Sequence, residues 1–230
     1  MPPYNSATAR PNMPMDYARA RANMVTNQLR PNRVEDPSLL DAMGSVPRER
    51  FLPKALRGVA YTDEDLPLAD DHWLIEPLVL ARLIQAAEVQ KSEVVLVVGC
   101  ATGYAAAVLA RLAATVILLA PSAAAATVEA LLDDLGVDNV VVAATDDPAA
   151  GHPSQAPFDV IVVVGSVPEV PPALLEQIGE GGRIVVVVDR DRIGKIMVLT
   201  RLHGVVGRRE AFDAQTPPCP GLDSSPAFTF

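Results

Sequence analysis

Two hydrophobic textures divide the chain near residue 90. Before that point apolar positions recur mostly at helical spacing. Beyond it, short β-branched runs alternate with helical patterns. In the first part, residues 17–29 read as a helix that ends before Arg30 and Pro31. Asp36 and Pro37 supply an N-cap and a first helical residue, and Leu39, Leu40 and Met43 form the stripe of the helix they open. Pro47 stops that helix. A third short helix is predicted over 49–56 and an acidic loop over 61–73. Pro77 then opens a helix over 78–87 that turns Leu78, Leu80, Leu83 and Ile84 inward.

In the second part the runs 94–98, 115–119, 140–144, 159–164 and 183–189 read as strands. Helical patterns over 105–113, 123–135 and 172–178 separate them. The runs 195–202 and 205–212 fold back through Gly204 as a closing hairpin. Near-continuous apolar strands alternating with helices predict an α/β fold, a mostly parallel twisted sheet with helices on both faces. The organisation expected is an N-terminal arm at 1–15, a helical region at 16–90, a sheet core at 91–212 and a C-terminal tail at 213–230. A partner chain, or self-association through Phe228 and Phe230, is one way the two tails would be held in place.

Composition narrows the function. Half of the 230 residues are apolar but only 4% are aromatic, so an Ala/Val/Leu core forms and global disorder is excluded. Lys and Arg number 19 against 28 Asp and Glu, a net charge of −9, which argues against nucleic acid as a partner. The two cysteines, Cys100 and Cys219, rule out a disulfide framework or a cysteine-rich zinc site. His72, His152 and His203 are too scattered to mark a metal site. The uncharged stretch 94–110 falls short of the ~20 residues a membrane span needs, and it reads as a strand followed by a helix. The first 15 residues lack the apolar stretch of a secretory signal. No membrane span is expected, and the cytoplasm is the expected compartment.

The first strand-to-helix turn is Gly99, Cys100, Ala101, Thr102, Gly103 and Tyr104. Such turns admit a nucleoside or phosphate close to backbone N–H groups, and equally occur as tight turns that bind nothing. The second strand ends at Leu119, Ala120 and Pro121, without the carboxylate that usually holds ribose hydroxyls. After the third strand come Thr145, Asp146, Asp147 and Pro148. The two carboxylates could hold a base or an amine, although a plain turn reads more naturally. Cys100 reads as a buried thiol rather than a nucleophile.

From Met24 to Val188 the chain resembles the protein-L-isoaspartate O-methyltransferase family. The likeness is carried by Val46, Pro47, Arg48, Glu49, Arg50 and Phe51; by Leu66, Pro67 and Leu68; by Gly99, Gly103 and Tyr104; by Phe158 and Asp159; and by Pro168, Glu169, Val170 and Pro171. The Val-Pro-Arg-Glu-Arg-Phe and Leu-Pro-Leu elements are specific to the family among methyltransferases. The resemblance implies a Rossmann-like S-adenosylmethionine-dependent methyltransferase fold and methyl transfer to a protein carboxylate. It implies cofactor-side positions at Gly99, Cys100, Ala101, Gly103, Tyr104, Ala120 and Asp147, and substrate-side positions at Trp73, Ile75, Glu76 and Gly165.

The departures fall on the chemistry. The family's Thr-Ile-Ser-Gln-Pro segment is Trp73, Leu74, Ile75, Glu76 and Pro77 here. Neither Trp73 nor Ile75 offers a hydroxyl. The family's first-strand acid is Val97, its second turn glycine is Ala101, its ribose acid is Ala120, and only Asp147 keeps its match in the following Gly-Asp-Gly turn. The alternative reading is therefore a catalytically degenerate member that serves as a protein-binding or scaffold subunit. A nicotinamide-dependent oxidoreductase is disfavoured by the missing acid after the second strand.

Overall fold

The computed structural model describes residues 15–190 and 193–222. The expectations for the arm at 1–14 and for Phe228 and Phe230 lie outside the described residues. Helix α1 (Tyr17–Met24) is capped by Asp16, whose carboxylate accepts from Arg19 N, and continues into a π-helical turn, Val25–Leu29. Helix α2 (Pro37–Ser45) starts as the sequence indicates. Asp36 accepts from Ser38 N and Leu39 N, and Pro37 occupies the first turn, where no N–H is required. The helix expected over 49–56 is instead two 3₁₀ segments, Arg48–Phe51 and Lys54–Val59, because Pro53 interrupts the i→i−4 ladder between them.

The region expected to be loop carries a small antiparallel ribbon, β1 (Leu66–Pro67) paired with β2 (Trp73–Leu74). Helix α3 (Pro77–Ala87) follows and buries Val79, Leu80, Ala81, Leu83, Ile84 and Ala87. The core then alternates strand and helix: β3 (Val94–Val98), α4 (Tyr104–Ala110), β4 (Thr115–Ala120), α5 (Ala125–Asp134), β5 (Val140–Ala144), β6 (Phe158–Val167), α6 (Pro172–Glu176) and β7 (Ile178–Arg190). Strands β8 (Ile193–Leu202) and β9 (Val205–Asp213) close it as the hairpin foreseen from Gly204.

These seven strands form one sheet in the order β5-β4-β3-β6-β7-β8-β9. The pairs from β5 to β7 are parallel, and β7–β8 and β8–β9 are antiparallel. The chain leaves β3 toward β4 on one side and later enters β6 on the other. The carboxyl ends of β3 and β6 therefore flank a topological switch point, where such sheets open a crevice. Strand β3 is central, and Val95, Leu96, Val97 and Val98 have no exposed surface. Each such side chain contributes roughly 1.5–3 kcal/mol on burial. Val95 and Val97 pack into the core under α3, α4 and α5. Leu96 and Val98 join a second core with α6, Cys219 and Leu222.

The tail expected to begin at 213 is part of that second layer. Ser166 N donates to Pro217 O at 2.9 Å, and Cys219 N donates to Ser166 O at 2.8 Å. Cys219 is fully buried. The segment crosses the mouth of the sheet where β6 bulges between Val162 and Ser166.

The N-terminal region is tied to the sheet through Arg48, a fully buried arginine. Its Nε donates to Ala60 O at 2.7 Å and its Nη2 to Ile75 O at 2.7 Å. Its guanidinium lies 5.0 Å over the Tyr104 ring, which meets Phe51 edge-on at 5.4 Å. Arg48→Met would leave two enclosed carbonyls without donors, at about 1–3 kcal/mol each. Urea denaturation is expected to show a loss of about 2–5 kcal/mol. A loss under about 1 kcal/mol would show that Arg48 does not hold these segments together.

Candidate functional site

Gly99 ends β3 with φ +83°, a conformation that L side chains rarely adopt. A Cβ at that position would lie 2.6 Å from Val164 O and would also collide with Cys219 Sγ. Gly103 has the same φ, and its Cβ would lie 2.7 Å from Val128 Cγ1, so glycine lets α5 approach the turn. Between these glycines the turn stands open above the sheet.

A cleft of about 200 Å³ lies at this level. Gly99 and Ala101 form its floor. Leu119, Ala120 and Pro121 come from the end of β4, and Thr145, Asp146 and Pro148 from the end of β5. His72, Pro220 and Gly221 complete the lining. Asp146 Oδ1 accepts from Ser122 N at 3.1 Å, which joins the β4 and β5 loops. A larger cavity of about 400 Å³ adjoins it and shares His72, Ala101 and Pro121. It is mainly apolar, with Phe51, Leu52, Pro53 and Leu68 on one side and Val128 and Leu131 of α5 on the other. Arg50, Asp70, Thr102 and Thr127 add polar groups. The Arg50 guanidinium is held by Asp134 at 2.5 Å.

The sequence-derived positions separate into three groups. Gly99, Ala101 and Ala120 line the cleft. Cys100, Gly103 and Tyr104 are buried in or behind the turn and support it. Tyr104 packs under Arg48 and Phe51, and burial pushes its hydroxyl pKa up. Asp147 lines neither cavity. Its backbone N bonds to Thr145 Oγ1 at 3.1 Å, and the neighbouring Asp146 takes the place at the cleft.

On the other side, Gly165 is covered by Cys219, whose backbone lies 3.0 Å from where a Cβ would be. Trp73 sits half-buried in β2, and Ile75 is 2% exposed within the core. Glu76 occupies the N-cap position of α3. None of the last three lines either cavity. Among the cavity residues that sequence reasoning did not assign to a site are His72, the Pro220–Gly221 pair, and Thr127, Val128 and Leu131. The two consecutive aspartates before His72 were the available sign of a sharp turn placing it.

Below the 73–77 segment the charges are arranged around Arg48. Glu76 N donates to Asp65 Oδ1 at 2.8 Å. Burial, with the nearby Asp63 and Asp65 carboxylates, pushes the Glu76 carboxyl up to about 7, and Arg48 opposes the shift. Burial also raises Asp65, against the Glu76 N–H bond and Arg48. Burial lowers the Arg48 guanidinium itself. Among the described residues no three His, Cys, Asp or Glu side chains gather to hold a metal ion. No helix among them is long and apolar enough to cross a membrane.

A family model described as protein-L-isoaspartate(D-aspartate) O-methyltransferase matches residues 20–211. The protein-L-isoaspartate O-methyltransferase of Koribacter versatilis (strain Ellin345) is 37% identical over 206 residues, covering 89% of this chain and 92% of that protein. Protein-L-isoaspartate O-methyltransferase 2 of Anaeromyxobacter sp. (strain Fw109-5) is 45% identical over 167 residues, covering 72% and 68%. A solved structure of a protein-L-isoaspartate O-methyltransferase superposes with TM-score 0.77 at 25% identity, covering 88% of this chain and 67% of that one. A putative one from Plasmodium falciparum, in complex with S-adenosyl-L-homocysteine, shares the fold with TM-score 0.73 at 16% identity, covering 90% and 100%.

The raised Glu76 carboxyl gives a pH test. Its folded value of about 7 exceeds the ordinary 4.5. Between those values the folded chain binds more protons than the unfolded one, so stability falls as pH rises through that window. Glu76→Gln removes this dependence. It is expected to stabilise the protein at pH 8 by about 1 kcal/mol, discounted because Glu76 is only half-buried and screened by solvent. At pH 4.5 no gain is expected. Equal melting temperatures at both pH values in wild type and variant would show that Glu76 titrates normally.

Proposed function

The chain belongs to the protein-L-isoaspartate(D-aspartate) O-methyltransferase family, and from that premise we propose that it transfers a methyl group from S-adenosylmethionine to the free carboxylate of isoaspartyl residues in damaged proteins. The observation that carries this reading is the cleft at the carboxyl ends of β3, β4 and β5, floored by the Gly99–Ala101 turn. The curated relatives named above bear the enzyme's name, which favours the enzymatic reading over the scaffold alternative.

The residues present fit the donor, with a weaker grip than the family pattern supplies. Leu119, Ala120 and Pro121 give a flat apolar wall for a nucleoside base. Thr145 and Asp146 offer acceptors for an amino group on it. The cleft alone is smaller than the roughly 300–1,000 Å³ of ordinary ligand pockets, so the rest of the donor would extend toward the larger cavity. Ala120 offers no carboxylate to ribose hydroxyls. One such charge-assisted bond is worth roughly 1.5–3 kcal/mol, or about 10- to 100-fold in affinity.

The donor, when bound, supplies an activated methyl group on a sulfonium. The acceptor carboxylate is already ionised at neutral pH. The protein therefore has little proton chemistry to perform. Its residues bind, orient and exclude water so that the acceptor oxygen meets the methyl in line. The apolar sides of the larger cavity suit that role, and Pro220 and Gly221 add to the lining of the cleft.

Titration calorimetry with S-adenosylhomocysteine is expected to give submillimolar binding. Methylation of an isoaspartyl peptide should accompany it. Ala101→Leu fills the wall between the two cavities from a partly exposed position. It should abolish binding and methylation while the melting temperature moves by less than about 2 °C. No heat of binding from the wild-type protein would overturn the proposal.

A further inference from the structure

His72 is held at one place by the backbone. The chain reverses from Ala69 to His72 through Asp70 (φ 55°) and Asp71 (φ 58°). His72 N donates to Ala69 O at 3.2 Å, and Leu68 N donates to His72 O at 2.8 Å. Two successive left-handed residues other than glycine are uncommon, and aspartate tolerates that region better than most. The turn closes the β1–β2 ribbon and presents the imidazole to both cavities, of which His72 is a shared wall.

The two ring nitrogens differ. Nδ1 is sealed from solvent without a hydrogen-bond partner, whereas Nε2 is not sealed. An enclosed N–H with no acceptor is the costlier arrangement, so in the neutral ring the proton belongs on Nε2. That places an N–H donor at the junction of the two cavities. Of the other polar groups in the larger cavity, Arg50 places Nη2 on Asp134, Thr102 Oγ1 accepts from Tyr104 N at 3.3 Å, and Thr127 adds a hydroxyl; unlike His72, none of the three also borders the cleft at the Gly99–Ala101 turn. Asp70 carries the wrong charge for an anion. Ile75, where the family carries its serine, faces the core and reaches neither cavity.

We propose that His72 Nε2 holds the acceptor carboxylate in the larger cavity, a positioning contact moved three residues along the chain from the position that Ile75 now fills. This rests on the methyltransferase reading above. With one carboxylate oxygen on Nε2–H, the other is free to attack. The O–CH₃ bond forms as the donor's S–CH₃ bond breaks, and that bond's electron pair passes to sulfur. No proton moves, so the imidazole needs only to donate a hydrogen bond.

Peptide binding is followed by calorimetry, because the single tryptophan, Trp73, lines neither cavity. The test titrates an isoaspartyl hexapeptide into wild type, His72→Leu and His72→Gln in the presence of S-adenosylhomocysteine. Donor-product affinity is measured separately by calorimetry. His72→Leu should weaken peptide binding, and raise the peptide KM, by on the order of 10- to 100-fold. S-adenosylhomocysteine affinity, to which His72 contributes only one wall of the cleft, should fall by clearly less than peptide affinity, and the melting temperature should stay within about 2 °C. His72→Gln, which keeps an N–H donor, should recover most of the peptide affinity.

Peptide binding by His72→Leu equal to wild type would overturn the assignment. So would an equal loss of donor-product affinity, failure of His72→Gln to recover, or a wild-type protein that binds no isoaspartyl peptide. A wild type that binds both ligands and responds to the variants as expected, yet forms no ester, would support the His72 contact and sink the activity instead.

Discussion

Arg48 is a buried cation, and among the described residues it makes no ion pair. An isolated charge in a protein interior is unfavourable unless its N–H groups are bonded and its field is answered. Two carbonyls and an aromatic face answer it directly, and the Asp65 and Glu76 carboxyls answer it through space. Those partners come from segments far apart in sequence: Ala60, the Ile75 carbonyl and Tyr104 at the start of α4. The guanidinium thus fixes the 73–77 segment against the same helix that follows the Gly99–Gly103 turn. It thereby adds to the two paired positions of the β1–β2 ribbon and to the buried Leu66, Leu74 and Ile75 in locating His72 at the cleft.

The strands were legible in the sequence because a buried parallel strand is apolar on both faces. The run Val94, Val95, Leu96, Val97, Val98 has no other economical reading, and its bounds in the structure are those expected. Caps were legible for a similar local reason, as at Asp36 and Pro37. The β1–β2 ribbon was not legible. Its strands are two residues each, too short for any period to register, and its turn is made by aspartates rather than by Asn-Gly or Asp-Gly. The buried state of Arg48 was hidden as well, since arginine is almost always exposed and nothing local marks the exception. The choice between Asp146 and Asp147 was a matter of which carboxylate the β5 loop turns inward, a fact of tertiary geometry. The packing of 214–222 over Gly99 and Gly165 depends on contacts about fifty or more residues away in sequence, which no local pattern encodes.

Against the pattern that the sequence resemblance implies, the site is poorer in polar groups, and the losses share a direction. Val97, Ala101, Ala120 and Ile75 each replace a polar or unhindered position with a small or branched apolar side chain, and all but Ala101 are fully or nearly fully buried. Fewer polar groups means weaker binding per contact, but it also lowers the local dielectric. A hydrogen bond that remains is then electrostatically stronger, and one left unmade is more costly.

For methyl transfer the balance is specific to the charges involved. The reaction begins with a cationic sulfonium and an anionic carboxylate and ends with two neutral products, so charge disappears along the path. A polar, well-solvated site stabilises the separated charges of the ground state more than the transition state in which they are cancelling. An apolar cavity walled by Phe51, Leu52, Pro53 and Leu131 withholds that ground-state solvation, while a single well-placed donor suffices to hold the anion. Loss of polar groups around the turn therefore weakens the grip on each ligand without removing a group that in-line transfer itself requires.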